Sequence, residues 1–411
     1  MDYYNQITQT YLYHLKHDHN YYKIKLELLS EYENVIGEIV KYVSITAQGQ
    51  INIEYNQITR RSCSLSLINV QSEFTPNQNK WFWIDRKFKL WLGMSYGDDT
   101  WWFANGVYVT TSATGDTHNV QIEAVDKGGI LDGTLKTNLL NGKIVVQKDI
   151  SVIKDVFTRT LLVDVHNKPI DPIEPIIDTF FETVPVEADI EINDGEYIAS
   201  LFTTIGESYG ADIWYDVNGR FTVQKLVDRD RINGYEYMGS QYDFDLSNAL
   251  YGQSSIDYGY ECYNAVTVFT NINAKDTDGN PIENVNYTAY NKNPMSPINV
   301  SAIGVRRMDS IEINWINGLD RQEMTNRCRD VALYNLSKSS MPKLSINFTS
   351  AIIPHLDVNR TITITDEYKE LDAEKFVVNS ITIPLSADSM SISATSIKML
   401  PITESAEKGV V

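Results

Sequence analysis

Few residues in this chain stand in patterns that do chemistry. In "IPHLDVNRTITIT" (residues 353–365) His355 lies two positions from Asp357, a spacing that sets both side chains on one side of an extended backbone. Such a pair can orient a general base or begin a metal site, but the first needs a nucleophile and the second a third ligand. No other histidine cluster occurs in this half of the chain, and Pro354 favours a bent approach to the alternating run that follows. The pair therefore reads as a strand entrance. "GESYG" (residues 206–210) matches G-x-S-x-G, where a nucleophilic serine sits between a strand and a helix. Here a helical pattern leads in and a strand pattern leads out, so Ser208 stands in the reverse order and Gly210 reads as a helix C-cap. "DTDGN" (residues 276–280) alternates oxygen ligands as calcium loops do, yet Gly279 is fourth rather than sixth, and a polar β-turn accounts for the same residues.

Cys63, Cys262 and Cys328 are far apart and form no CxxC, which excludes a disulfide framework and a cysteine zinc knuckle. Arg60 and Arg61 precede Cys63 and are placed to lower its pKa, but no His or Asn accompanies it as in a cysteine protease, so it is assigned to structure. Cys328 falls on an apolar helix face. Five of the seven tryptophans lie between Trp81 and Trp102, an arrangement that can grip sugar rings. Trp81 and Trp83 are expected to share the inner face of a barrel strand, whereas Trp101 and Trp102 must point opposite ways. The residues thus assign no catalytic, cofactor-binding or metal-ligating side chain, and the chain is read as a non-enzyme. Carbohydrate or cell-wall binding through the Trp81–Trp102 region stays open as the alternative.

The elements around these residues are mostly strands. With 411 residues, 43% of them hydrophobic, the chain exceeds one compact core, and two to four domains are expected. No apolar run reaches the ~20 residues of a bilayer span, and the opening residues lack a signal core, so a cytoplasmic start without membrane insertion is expected. The Asn-x-Ser/Thr triplets at Asn286, Asn299, Asn335, Asn347 and Asn359 are then chance. A net charge of −19 disfavours a surface that binds nucleic acid, while an acidic wall lets a polyanion pass without sticking.

Strands are predicted over residues 21–29, 37–46 and 49–57. More follow between 81 and 126, with turns at Gly97-Asp98-Asp99, Asn105-Gly106 and Gly115-Asp116. In "HNVQIEAVD" Val120, Ile122 and Ala124 face one way. A short helix behind an Asp149 cap carries Val152, Ile153, Val156 and Phe157 inward. Residues 164–196 hold ten carboxylates, four prolines and one lysine, and are expected to be extended and solvent-facing. A second helix with Tyr197, Ile198, Leu201, Phe202 and Ile205 on one face precedes a hairpin over Asn218-Gly219. A long helix begins at Asp320, with Glu323 completing the cap and Met324, Cys328, Val331 and Ala332 inward. Strands at 343–351, 360–368, 375–385 and 389–399 close the chain.

The motifs of the C-terminal third, taken in order, resemble those of phage tail proteins of Gram-positive bacteria. They are "NPMSPINVSAIGVRR", "EMTNRCRDVALYNL", "IPHLDVNRTITIT", "KFVVNSITIPLS" and "MSISATSIK". "ITQTYLYHLKHDHNYYKIKLEL" resembles the opening of such proteins, and "NDGEYIASLFTTIGESYGADIWYDVNGRFTV" their middle module. Together they look like the baseplate hub of contractile tails, which is related to proteins of defective prophages and tail-like bacteriocins. One departure is Asn359-Arg360 where a Gly-Asp pair is expected, and Asn tolerates the left-handed turn.

The resemblance implies a mainly β, α+β chain with two tail-tube-like antiparallel barrels: residues 1–135 with an N-terminal arm, and 251–400 with one long helix. It places an α+β module at 136–250 and a mobile tail at 401–411. It further implies a structural virion protein without cofactors, a homotrimeric ring joining a sixfold tail tube to a threefold spike or tail tip. The partners would be tube, spike and other baseplate proteins, with DNA only in transit. Such a ring is assembled in the host cytoplasm and resides in the tail baseplate.

Overall fold

The computed structural model describes residues 7–396, except 18–20, 40–48, 70–71, 76–80, 116–117, 136–143, 147–151, 162–170, 187–189, 193, 210, 226–240, 246–250, 260–261, 271–275, 277, 283, 295, 307, 314–319, 341–342 and 386–388. The expected Asp149 cap, Gly210 cap, mobile tail and most of the strand at 37–46 lie outside the described residues. The N-terminal part opens with helix α1 (Gln9–His17), which the sequence reading lacks. Strands β1 (Tyr21–Leu29), β2 (Val35–Ile39), β3 (Gln50–Glu54), β4 (Arg61–Ile68), β5 (Lys87–Tyr96), β6 (Asp99–Gly115) and β7 (Asn119–Asp126) follow. They pair antiparallel in the order β3-β4-β7-β6-β5-β1-β2. Alternation builds this sheet: Cys63, Leu65 and Leu67 of β4 and Val120, Ile122 and Ala124 of β7 are buried, with polar residues between them on the wet face.

Two sequence expectations change here. Asn105-Gly106 is no turn but a bulge inside β6: Leu90 pairs with Gly106 and Trp91 with Ala104, leaving Asn105 as the extra residue. Asn105 is buried and accepts a hydrogen bond from the Tyr108 hydroxyl at 2.8 Å, which holds the bulge. Trp81 and Trp83 do not line a barrel. They lie in a turn before β5, 41% and 45% exposed, and Phe82 between them is the residue that enters the core.

The middle part contains β8 (Ile144–Val146), a helical stretch from Ile153 to Leu161, β9 (Ile176–Ile177), β10 (Ile190–Ile192), α2 (Ile198–Tyr209), β11 (Ala211–Tyr215) and β12 (Phe221–Lys225). It has its own core, in which Phe157, Phe181, Phe202 and Phe221 meet Leu201 and Ile205. The acidic stretch is partly packed rather than solvent-facing throughout, because Phe181, Val186 and Asp171 are buried.

The remaining strands are β13 (Asp243–Asp245), β14 (Tyr251–Gly259), β15 (Ala265–Thr270), β16 (Asn286–Tyr290), β17 (Met308–Ile313), β18 (Lys343–Ser350), β19 (Thr361–Asp366), β20 (Leu371–Pro384) and β21 (Met390–Ser396). Helix α3 (Arg321–Ser339) begins with a complete capping box between Asp320 and Glu323, and packs Met324, Cys328 and Ala332 on the β16-β15-β17 sheet as a third core. The other strands join the N-terminal ones through β20. Before Asn379 that strand pairs with β19; after it, with β3, and a register shift at Asn379 marks the change. One sheet thus runs β14-β18-β21-β20-β3-β4-β7-β6-β5-β1-β2, with β19 and β13 attached at β20. A single apolar core extends under it from Tyr11 to Ala394. The result is a mainly β, α+β molecule.

Candidate functional site

The histidine–aspartate pair sits in the loop from β18 to β19, turned by Asn359 at φ 56°. His355 is fully buried between α1, Phe103 and Tyr242. Its Nε2 lies 3.1 Å from the Gln241 carbonyl, which can only accept, so Nε2 carries the proton. Nδ1 then accepts from the Tyr11 hydroxyl at 2.8 Å. Burial lowers the His355 pKa to about 4, against the opposing pull of the Gln241 carbonyl, and the ring is neutral at pH 7. Both nitrogens are committed, so the ring ties the N-terminal helix to the C-terminal strands rather than serving as a base.

Asp357 points elsewhere. Both of its oxygens lie 2.7 Å from Nη2 of Arg61, and Nη1 of Arg61 donates to the Tyr215 carbonyl at 3.1 Å. Arg61 occupies an inward position of β4, in register with Cys63, Leu65 and Leu67. Asp126, inward on β7, accepts from the amides of Arg60 (2.9 Å), Arg61 (2.8 Å) and Gly128 (2.8 Å). Burial raises its pKa to about 6, while the Arg61 charge and those amides oppose the shift. Arg60 pairs with Asp212 and lies over the rings of Trp214 and Tyr55.

A second buried group continues this junction. Lys127 Nζ lies 2.6 Å from Glu33, 2.7 Å from Asp171 and 2.8 Å from the Gly219 carbonyl, which accepts from it. Lys87 approaches the same Glu33 oxygen at 2.7 Å. Two lysines and two carboxylates thus balance where the β1–β2 turn, the N-terminal sheet and the middle part meet. Gly219, at φ 75°, brings the β11–β12 turn so close that a Cβ there would lie 2.6 Å from Val107. The sequence analysis read Arg61 only as a neighbour of Cys63 and passed over Asp126 and Lys127. Their signal was the alternation itself, which places charges at inward positions of β4 and β7 or directly after them.

The other reactive-looking residues are accounted for locally. Burial, reinforced by the Glu123 charge, holds the Cys63 thiol well above its ordinary pKa, so Arg60 and Arg61 do not activate it. Burial raises Cys328 to about 11. Ser208 lies in the last turn of α2, ahead of β11, the reverse of a nucleophile elbow. Asp276 closes its own turn by accepting from the amides of Asp278 (2.9 Å) and Asn280 (2.8 Å). Among the described residues no three His, Cys, Asp or Glu side chains converge on a metal position.

Several large apolar side chains are exposed among the described residues. Trp101 turns inward against Tyr11 and His14, whereas Trp102 turns outward, lies against Gly93 and is covered by Lys25, which also covers Trp91. Exposed instead are Trp81 and Trp83, and, on the β1–β2 hairpin, Tyr32, Val35 and Ile36.

No protein-family model matches the sequence, and no curated protein matches it. Solved structures do match along nearly its whole length. A tail protein from Neisseria meningitidis MC58 superposes with a TM-score of 0.56 at 10% identity, covering 91% of this chain and 96% of that one. The 43 kDa tail protein of prophage MuSo2 from Shewanella oneidensis gives 0.53 at 13% identity, covering 93% and 99%. A Francisella PdpA–VgrG complex gives 0.51 at 10% identity over 92% of this chain, which spans 53% of that one. The chain has the fold of these tail proteins.

Proposed function

We propose that this chain is a structural baseplate hub, a non-enzymatic ring protein between a tail tube and a spike or tail tip. The observation that carries the reading is the full-length match to two tail proteins, each covered at 96% or more. Reactive groups committed to packing support it, since His355, Asp357, Cys63 and Cys328 are each spent on internal contacts or burial. In this reading residues 1–135 and 251–400 supply two tube-like halves, the unit under α3 is an appended layer of the second, and 136–250 forms the module between. Three copies then present six similar halves to a sixfold tube and three to a spike. The net charge of −19 suits a ring through which DNA passes without binding. The chain would be assembled in the host cytoplasm and reside in the tail baseplate of a phage or tail-like bacteriocin. The carbohydrate alternative retains only Trp81 and Trp83, since Lys25 covers Trp91 and Trp102.

The test is native mass by light scattering after size exclusion, across a wide concentration range. A trimer of the 46.8 kDa chain is expected. A hexamer would replace the hub with a tube or distal-tail ring, and a chain monomeric at every concentration would remove the self-assembled ring.

A further inference from the structure

The buried cluster behind the β1–β2 turn places one amine between two carboxyls, almost closed to water. The side chains of Lys127, Glu33 and Asp171 are 1%, 2% and 4% exposed. Asp171 presents both oxygens to Lys127 Nζ, at 2.8 and 2.7 Å, so its carbon stands at the ~3–3.5 Å from which a bond can form. Glu33 presents only Oε1, at 2.6 Å, and Lys87 holds that same oxygen at 2.7 Å. Its Oε2 is buried and meets no hydrogen-bond donor among the described residues. The Tyr215 ring, 5.2 Å from Nζ, and the Gly219 carbonyl, 2.8 Å from it, wall the group on the side of the middle part. Each member is held from its own direction. Glu33 sits in a left-handed turn at φ 61°, Lys127 follows Asp126, which caps the next turn, and Asp171 accepts from the Ile173 amide at 3.0 Å.

Desolvation works against both charges of a buried ion pair, and a neutral amine against a neutral carboxyl is the reacting pair of amide formation. We propose that Lys127 and Asp171 condense to an isopeptide bond, with Glu33 as the proton relay. One ammonium proton passes to Asp171, and the freed lone pair of Nζ attacks Cγ. The nitrogen then passes a second proton to Glu33, which returns it to the departing hydroxyl. A C–N bond replaces a C–O bond, one water leaves, and no other reactant enters. Asp171 is the acceptor because both of its oxygens meet Nζ, whereas Glu33 keeps Lys87 as its counterion. Condensation removes the charges of Lys127 and Asp171 together, and the Lys87–Glu33 pair stays balanced. The bond ties the middle part covalently to the end of β7.

The test is intact-mass spectrometry of the purified full chain after incubation at neutral pH, followed by peptide mapping. A mass lower by one water is expected, with a branched peptide joining Lys127 to Asp171 that survives mild base and hydroxylamine. The variants Lys127→Arg and Glu33→Gln are each expected at full sequence mass. A wild-type chain at full sequence mass would overturn the bond, and that measurement needs no variant to fold. Water lost as a base-labile imide at an Asp-Gly pair, or as an amide between Lys127 and Glu33, would overturn it as well. A Glu33→Gln chain that condenses as fully as wild type would overturn the relay.

Discussion

His355 and Asp126 respond to acid in opposite senses. His355 titrates at about 4 in the native state, against ~6.5 when unfolded, so the unfolded chain holds more protons between those values and acidification through that window removes stability. Asp126 titrates at about 6 against ~3.9 unfolded, so the native state takes its proton first and acidification adds stability. The two offset each other between about pH 4 and 6. Replacing His355→Gln breaks the bridge between Tyr11 and Gln241 and is expected to cost ~1–3 kcal/mol at neutral pH. It also leaves Asp126 unopposed, so the variant should lose less stability than wild type between pH 7 and pH 5. Urea unfolding at those two pH values measures it. An equal acid loss in both proteins would show that His355 does not titrate as its burial implies.

Among the elements, α3 shows how far local rules reach. Its start at Asp320 and its inner face follow from the capping pattern and a 3.6-residue period, and both are present in the fold. Asp320→Ala removes the acceptor for the Glu323 amide and is expected to cost ~1 kcal/mol in thermal or urea unfolding. No measurable loss would mean the cap adds nothing beyond packing. The alternating strands β7 and β21 were equally legible, since one face is wet and the other apolar, whereas β4, which alternates as regularly, was not read. Asn105-Gly106 misled, because a dipeptide that favours a hairpin turn also suits a bulge, and only the partner strand distinguishes them. Trp81 and Trp83 misled for a related reason: period-2 spacing carries no information outside a strand, and Phe82 took the inward place.

For the whole molecule, the salient feature is that buried charges join the middle part to the N-terminal sheet, beside the apolar contacts of Leu131 and Ile58. The two cores are separate clusters, and Arg60, Arg61, Lys89 and Lys127 reach across to Asp212, the Tyr215 carbonyl, Asn218 and Asp171. Replacing Lys127→Met leaves the buried Asp171 carboxylate without its cation and weakens the hold on Glu33. The expected cost is ~3–5 kcal/mol, seen as a lowered unfolding midpoint and earlier proteolysis in the middle part. A variant as stable as wild type would show that the junction is dispensable for docking.

The sequence by itself determined what depends on near neighbours: strand periods, the cap of α3, the hairpin over Asn218-Gly219 and the left-handed turn at Asn359. The charges at inward positions of β4 and β7 stand in the sequence, but their role at a junction was not read from it. Only the tertiary structure decided its partners. Arg61 meets Asp357 across 296 positions and Tyr11 meets His355 across 344, separations at which spacing along the chain says nothing about proximity. Local preference is set within a few residues, whereas a buried charge finds its counterion only after the sheets have brought distant strands together.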